Sequence, residues 1–321
     1  MHLLTSPHWR LWLDPTQGVR WCALQANHEQ QWLHVTPDCR GPHTGASGPV
    51  SEDEPADEPG PAAGLLNAAS FLMLPYSNRI RDARFSFEGQ EHQLEDAEAH
   101  AIHGALRKLP WQVENASDTH LLCRFDSREH ERAGHAPINW PWPLEATFEH
   151  TLSDRLLQSA VAVTNRGDTP MPVGLGWHPY FLREIKGAAP HLTVPVDAVF
   201  PDASGDCLPD GAAVELTGAL DFRNARALDP AQRIDHCFAG LSGDIKLAWP
   251  DAHLSLSLRA SDNCRFAIVY NPDEPFFAVE PVSNANDAFN LEARGIDAGT
   301  HVLAPGETLS ATLELELDTP D

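Results

Sequence analysis

In the stretches HLSLSLRA (residues 253–260) and TLELELD (312–318), apolar and polar residues alternate strictly over six or more positions. That is the period of a strand with one buried face. The same two-residue rhythm, less strict, runs through ATFEHTL, LLQSAVAVTN, DIKLAWP, RFAIVYNP and FFAVEPV. Residues 9–34 hold the short apolar and aromatic runs WRLWLD, VRWCALQ and QQWLHV between turn residues, and predict an opening β-meander. RFSFEGQEHQL predicts a hairpin turning at Glu88-Gly89-Gln90, and NRGDTP predicts a turn between paired strands. A long amphipathic helix is not predicted anywhere, although ALDPAQRIDHCF is compatible with one helical turn. The pattern as a whole predicts an all-β, antiparallel fold, a large sandwich.

Residues 40–64 break the rhythm. They are rich in proline, glycine and acids and contain no aromatic residue, a composition too polar to bury, which predicts a flexible surface insertion. The roughly 40 residues before it are too few for an independent core. Residues 1–321 are therefore expected to form one domain interrupted by this insertion. The first residues, MHLLTSPHWRLWLD, lack a basic start and a signal-like apolar run. No stretch approaches the ~20 apolar residues of a membrane span. A cytoplasmic protein without a membrane partner is expected. The six cysteines include no CxxC pair, so free thiols are expected rather than a disulfide framework or a cysteine-based zinc site. A net charge of −24 repels phosphate backbones and makes nucleic acid a poor partner. A neutral, polar small molecule meets no such barrier.

Alternation also sorts the candidate chemistry. In GLGWHPYF (174–181), Val173, Leu175 and Trp177 point to one face, while Gly174, Gly176 and His178 point to the other. Two glycines beside a histidine predict either room for a ligand or a close approach of strands. FFAVEPV has the same construction: Phe277 and Val279 face one way, Ala278 and Glu280 the other, and a proline follows the charged residue. LPYSNRIR places Asn78 and Arg79 just past a proline turn, where the guanidinium offers five donors in a fixed fork. HAIHG holds His100 and His103, which on a strand point to opposite faces and so do not form a two-histidine metal grip. RIDHCF adds Asp235 and His236. Phosphate-binding loops, dinucleotide fingerprints, HExxH and GxSxG are all missing. No cofactor and no metal is expected.

Taken in order, LPYSNRIRDARFSFEG, HAIHG, LGWHPYF, IDHCF and VEPVSNANDAFN resemble the aldose 1-epimerase (galactose mutarotase) family. Each piece is short, but five in sequence across residues 71–290 are specific. The resemblance implies a β-supersandwich. It also implies His178 as general acid, Glu280 as general base, and Asn78, Arg79, His103 and Asp235 as contacts to a sugar. The expected activity is interconversion of α- and β-anomers through ring opening and closure, with a hexose or related aldose as small-molecule partner. In that scheme Glu280 is ionised and His178 protonated, each charge favouring the other. Three alternatives stay open at this level: a non-catalytic carbohydrate-binding β-sandwich, a metal-dependent enzyme drawing on the 17 histidines, and a sugar-phosphate mutarotase with Arg79, Arg81, Arg84 and Arg107 as candidates for the phosphate.

The composition of the insertion generates a direct test. Replacing most of residues 40–64 with a short Gly-Ser bridge is expected to leave the thermal midpoint within a few degrees of the parent. A large fall in Tm would show that the segment packs on the core.

Overall fold

The computed structural model describes residues 1–40, 65–95 and 99–318. Most of the predicted insertion, residues 41–64, lies outside the described residues.

Period-two strands build two large antiparallel sheets. The first has nine strands. At its centre Leu144–Ser153 pairs with Leu156–Asn165, from Leu144↔Asn165 to Ser153↔Leu156. Leu156–Asn165 pairs in turn with Thr308–Leu317. The alternation is visible residue by residue: Ala146, Phe148 and Leu152 are buried, as are Leu157, Val161 and Val163, and Leu313, Leu315 and Leu317 across from them. Leu254–Ala260 extends the sheet with Leu254, Leu256 and Leu258 inward. Most residues between are partly exposed, with Ser257 buried as an exception, so the strands are read by their pleat.

The second sheet has eight strands and carries the site. Ile234–Ala239, Phe266–Asn271 and Phe276–Val282 lie side by side, and Gly176–Trp177, Tyr180–Leu182 and Leu72–Met73 complete the neighbourhood. Phe276–Val282 is buried along its whole length. One of its faces gives Phe277 and Val279 to the main core, which also takes Val173, Leu175 and Trp177. The opposite face gives Val282 to a smaller cluster with Phe71, Met73 and Ile268. His178 and Glu280 belong to that opposite face by alternation. The opening meander is a four-stranded antiparallel sheet, and all six cysteines are free and buried. No helix among the described residues is long and apolar enough to cross a membrane.

Three local expectations are refined. Met171–Val173 does not pair with the strand before the NRGDTP turn; it pairs with His301–Leu303. No helix forms in the stretch before Ile234: a single turn closes, Gln232 N–H donating to Asp229 O at 3.1 Å, and leads into the strand Ile234–Ala239. A helix does form at Ala288–Ala293, inside the VSNANDAFN stretch.

The glycines beside His178 do not leave room for a ligand. A Cβ on Gly176 would lie 2.4 Å from Val282 Cγ1 and 3.0 Å from Pro281 O, and one on Gly174 would lie 1.9 Å from Asn284 Oδ1. The space is taken by the neighbouring strand and by Asn284, so close strand approach decides between the two readings. Gly176→Ala is therefore expected to lower unfolding stability by about 1–3 kcal/mol through overpacking. Combining it with Val282→Ala should recover part of that loss in urea denaturation. Unchanged stability in Gly176→Ala would mean that the space is open after all.

Candidate active site

Each of the six candidate residues reaches the site by a simple local route. Glu280 stands on Phe276–Val282, opposite Ile268 of the neighbouring strand. Ile268 is in turn opposite Cys237, and Asp235 lies two residues along on the same face. Gly176–Trp177 pairs with the far end of the glutamate strand through Gly176↔Val282. His178 follows directly, its backbone N–H donating to Phe71 O at 3.0 Å. Arg79–Ile80 pairs with Ala101–Ile102, with Arg79 opposite Ile102. That two-residue ladder sets Asn78 and Arg79 beside His103, whose N–H donates to Asn78 O at 2.8 Å.

The side chains converge. His178 Nε2 lies 3.1 Å from Glu280 Oε1. The two residues are only 4% and 1% exposed, so bulk water does not reach them. His178 Nδ1, Glu280 Oε2 and His103 Nδ1 are buried without a partner, and such atoms usually find one. The His103 ring meets the His178 ring edge-on at 5.1 Å between centroids. Arg79 Nη1 donates to Asn78 Oδ1 at 3.4 Å. The thiol of Cys207 donates to Asp235 O at 3.3 Å, and Asn286 Nδ2 donates to Cys207 O at 2.7 Å. His100, by contrast, turns away from His103: its Nδ1 accepts from Asp82 N at 3.0 Å. Among the described residues, no three His, Cys, Asp or Glu side chains are grouped to hold a metal ion.

Burial dominates the electrostatics. It pushes His178 down to about 3, and the positive charge of Arg107 adds to the effect. It pushes Glu280 well above the usual carboxylate range; the negative charge of Asp235 adds to this and Arg79 opposes it. His103 is held well below an ordinary imidazole by burial and by the cations around it. Asp235 is raised by burial against the pull of Arg79. The expectation that opposite charges would keep His178 protonated and Glu280 ionised is thus corrected. In this dry contact desolvation outweighs the mutual attraction, and the favoured form is a neutral imidazole beside a protonated carboxyl.

Two residues of the site were not singled out by the sequence. Phe71 packs on both histidines, 4.7 Å from the His178 ring and 5.4 Å from the His103 ring. Tyr180 lies 4.4 Å from the His178 ring. Tyr180 shares the parity of His178 on its strand, which was the available signal, whereas Phe71 arrives from another segment. Arg107, one of four arginines named for a phosphate, does reach the neighbourhood: its guanidinium sits over Phe71 at 5.5 Å.

Comparison with known proteins agrees with the fold. The family model for aldose 1-epimerase matches residues 58–316. The uncharacterized protein YphB of Escherichia coli (strain K12) is 28% identical over 285 residues, 82% of this chain and 89% of YphB. The uncharacterized protein YihR of the same organism is 28% identical over 238 residues, covering 70% of this chain and 72% of YihR. Among solved structures, a galactose mutarotase-like protein from Clostridium acetobutylicum superposes with a TM-score of 0.79 at 17% identity, over 99% of this chain and 94% of that one. The GalM/aldose epimerase homologue from C. elegans gives 0.77 at 16% identity, over 100% and 99%. The fold is the galactose mutarotase-like β-sandwich, and with a family match over most of its length this chain belongs to the aldose 1-epimerase family.

Proposed function

We propose that this protein is an aldose mutarotase in which Glu280 and His178 exchange protons with the hemiacetal of a sugar. Asn78, Arg79, His103 and Asp235 hold the sugar's hydroxyls. The observation that carries this reading is the His178–Glu280 contact: an acid–base pair at 3.1 Å, buried, with a free acceptor or donor atom left on each partner.

A cyclic sugar carries its two reacting oxygens, O1 and O5, on one carbon. One base and one acid side by side are enough to open it. The Glu280 carboxylate takes the O1 proton as the C1–O5 bond breaks and O1 becomes the aldehyde oxygen. The imidazolium of His178 gives its proton to O5, which leaves as a hydroxyl. The aldehyde rotates about C1–C2, O5 attacks the other face, and both transfers reverse. Positioning of this kind contributes ~10²–10⁴-fold to the rate. The hydroxyl contacts keep the rest of the sugar in place while C1 turns, so the open form does not have to be recaptured from solution.

The proton inventory fits the burial. With the ring closed, the reactive form of the pair is carboxylate and imidazolium. With the ring open it is protonated carboxyl and neutral imidazole. The two are tautomers with the same number of protons. The dry surroundings favour the second, which is the protein's state when the sugar is open. Sugar hydroxyls and Arg79 supply hydrogen bonds and charge that favour the first.

Two experiments test the reading. His178→Asn and Glu280→Gln are each expected to lower kcat for anomerisation, followed by polarimetry or saturation-transfer NMR, by ~10²-fold or more. The double variant should be scarcely slower than the slower single one, because the two groups act in one step. Sugar binding should largely persist. Near-parental kcat in either single variant removes that residue from the proton transfer, and sugar binding without any anomerisation by the parent would leave a carbohydrate-binding protein.

The pH profile gives a second check. The pair works with one shared proton. A second proton enters only when imidazole and carboxyl are both protonated, and burial lowers His178 from 6.5 to about 3, so the acid limb falls well below 6.5. The shared proton leaves only when the carboxyl ionises beside a neutral imidazole, and burial raises Glu280, so the alkaline limb lies above the ordinary carboxylate range. These are properties of the pair rather than of either residue. Plotted against pH, kcat/KM is expected to show no acid limb near 6.5. An acid limb centred there would mean that His178 titrates as a solvated imidazole.

A further inference from the structure

Of the four arginines near the site's motifs, three are accounted for. Arg81 Nε lies 3.6 Å from Asp287 Oδ2, and the Arg81 N–H donates to Asp287 Oδ1 at 3.0 Å. Arg84 is exposed and pairs with Glu91 at 2.8 Å. Arg79 bonds Asn78, and its charge opposes the rise of the Glu280 and Asp235 carboxyls. Arg107 is different. It is half-buried, and its guanidinium lies over the Phe71 ring, 5.5 Å from the centroid. No carboxylate among the described residues lies within ion-pair distance of it, although Asp and Glu outnumber Lys and Arg 46 to 22 in the chain. A cation partly withdrawn from water is commonly matched by an anion.

Its position is well defined. The N–H groups of Ala105 and Leu106 both donate to Leu74 O, at 2.8 and 3.3 Å, which fixes the backbone just before Arg107. Phe71, on which the guanidinium rests, packs in turn on His178 and His103. Arg107 therefore stands on the histidine side of the acid–base pair. Its charge is felt by His178, His103 and Tyr180. Asp235 lies on the glutamate side, and Arg79, next to the His103 loop, acts on both sides.

We infer that the sugar taken by this site is a hexose bearing an anionic group on C6, and that Arg107 is the counter-ion of that group. The step from place to chemistry rests on the proposed mutarotase reading. If His178 serves O5 and Glu280 serves O1, then C5, bonded to O5, lies on the histidine side, and its exocyclic C6 extends away from O1 toward Arg107. A guanidinium suits a phosphate or a carboxylate, each of which accepts paired N–H donors. A neutral CH₂OH at that place would leave the cation unmatched.

The full-length protein is assayed for anomerisation by saturation-transfer NMR with glucose, glucose 6-phosphate and glucuronate. The two anionic sugars separate a phosphate ligand from a carboxylate ligand. At least one is expected to exceed glucose in kcat/KM by ~10-fold or more, the range of a charge-assisted hydrogen bond. Raising ionic strength should narrow the margin. In Arg107→Met, and less so in Arg107→Lys, the ratio of anionic to neutral kcat/KM should fall toward one. Circular dichroism and Tm confirm that the variants fold, and the comparison within the parent needs no variant. If glucose is anomerised as efficiently as both anions, or if the ratio is unmoved in folded Arg107→Met, the inference is overturned while the mutarotase reading stands. If no sugar is anomerised above the buffer rate, the mutarotase reading fails and the inference falls with it.

Discussion

Exclusion of water from the contact between His178 and Glu280 is the condition on which the rest of this site depends. In water a carboxylate and an imidazolium would each keep a hydration shell, and their pairing would contribute little. Here both are almost completely enclosed, and removing two ions from water carries a penalty of several kcal/mol each. The pair has an escape that an arginine–carboxylate pair lacks, because one proton can move and neutralise both partners. Burial therefore does not simply weaken an acid and a base. It couples them, so that in the proposed reaction one tautomer suits the closed sugar and the other suits the open one.

That enclosure is a product of sheet position. Phe276–Val282 is an interior strand with the main core on one face and the site on the other. An edge strand would leave Glu280 solvated, and its carboxyl would return to ordinary acidity. The histidine comes from a short strand held against the same one by close backbone approach at Gly176. Substituting a larger residue for this glycine would push the His178 strand away from the Glu280 strand, so a packing requirement and the acid–base geometry are met by the same missing side chain.

Much of this was legible in the alternation of residues, because a pleated strand assigns faces by parity. Parity put His178 apart from Trp177 and Glu280 apart from Val279, and the structure places the apolar partners of both in the main core. Parity also separated His100 from His103. Three things were not legible. The purpose of Gly174 and Gly176 depended on Asn284 and Val282, more than a hundred residues away in sequence. The charge state of the pair depended on how completely the folded chain encloses it, and pairing alone suggested the opposite form. The contribution of Arg107 depended on Phe71, from another segment, and on the lack of a nearby carboxylate. The missed helices Ser127–Arg132 and Ala288–Ala293 are each six residues long, too short to develop a periodic signal.

The backbone that carries the proposed sugar contacts shows how such a site keeps its shape. Asn78, His103 and Asp287 all have positive φ, at 50°, 61° and 56°, a conformation that side-chain-bearing residues seldom adopt. A backbone of this kind persists only where its surroundings over-determine it, and here they do. Ser77 N–H donates to Asn284 Oδ1 and its hydroxyl to Asn284 O. Asp287 N–H donates to Arg79 O, while the Asp287 carboxylate accepts from Arg81 N–H and from Asn290 Nδ2. His103 N–H closes the ring on Asn78 O. The turn bearing Asn78 and Arg79 is thus bound on one side to the loop of His103 and on the other to the segment that follows Glu280. Asn284, seated against Gly174, links that turn to the strand leading into His178. The proposed sugar contacts and the His178–Glu280 pair are consequently parts of one hydrogen-bonded frame, and a substitution at Asn284, which is buried and bonded to Ser77 and Ala285, would disturb both.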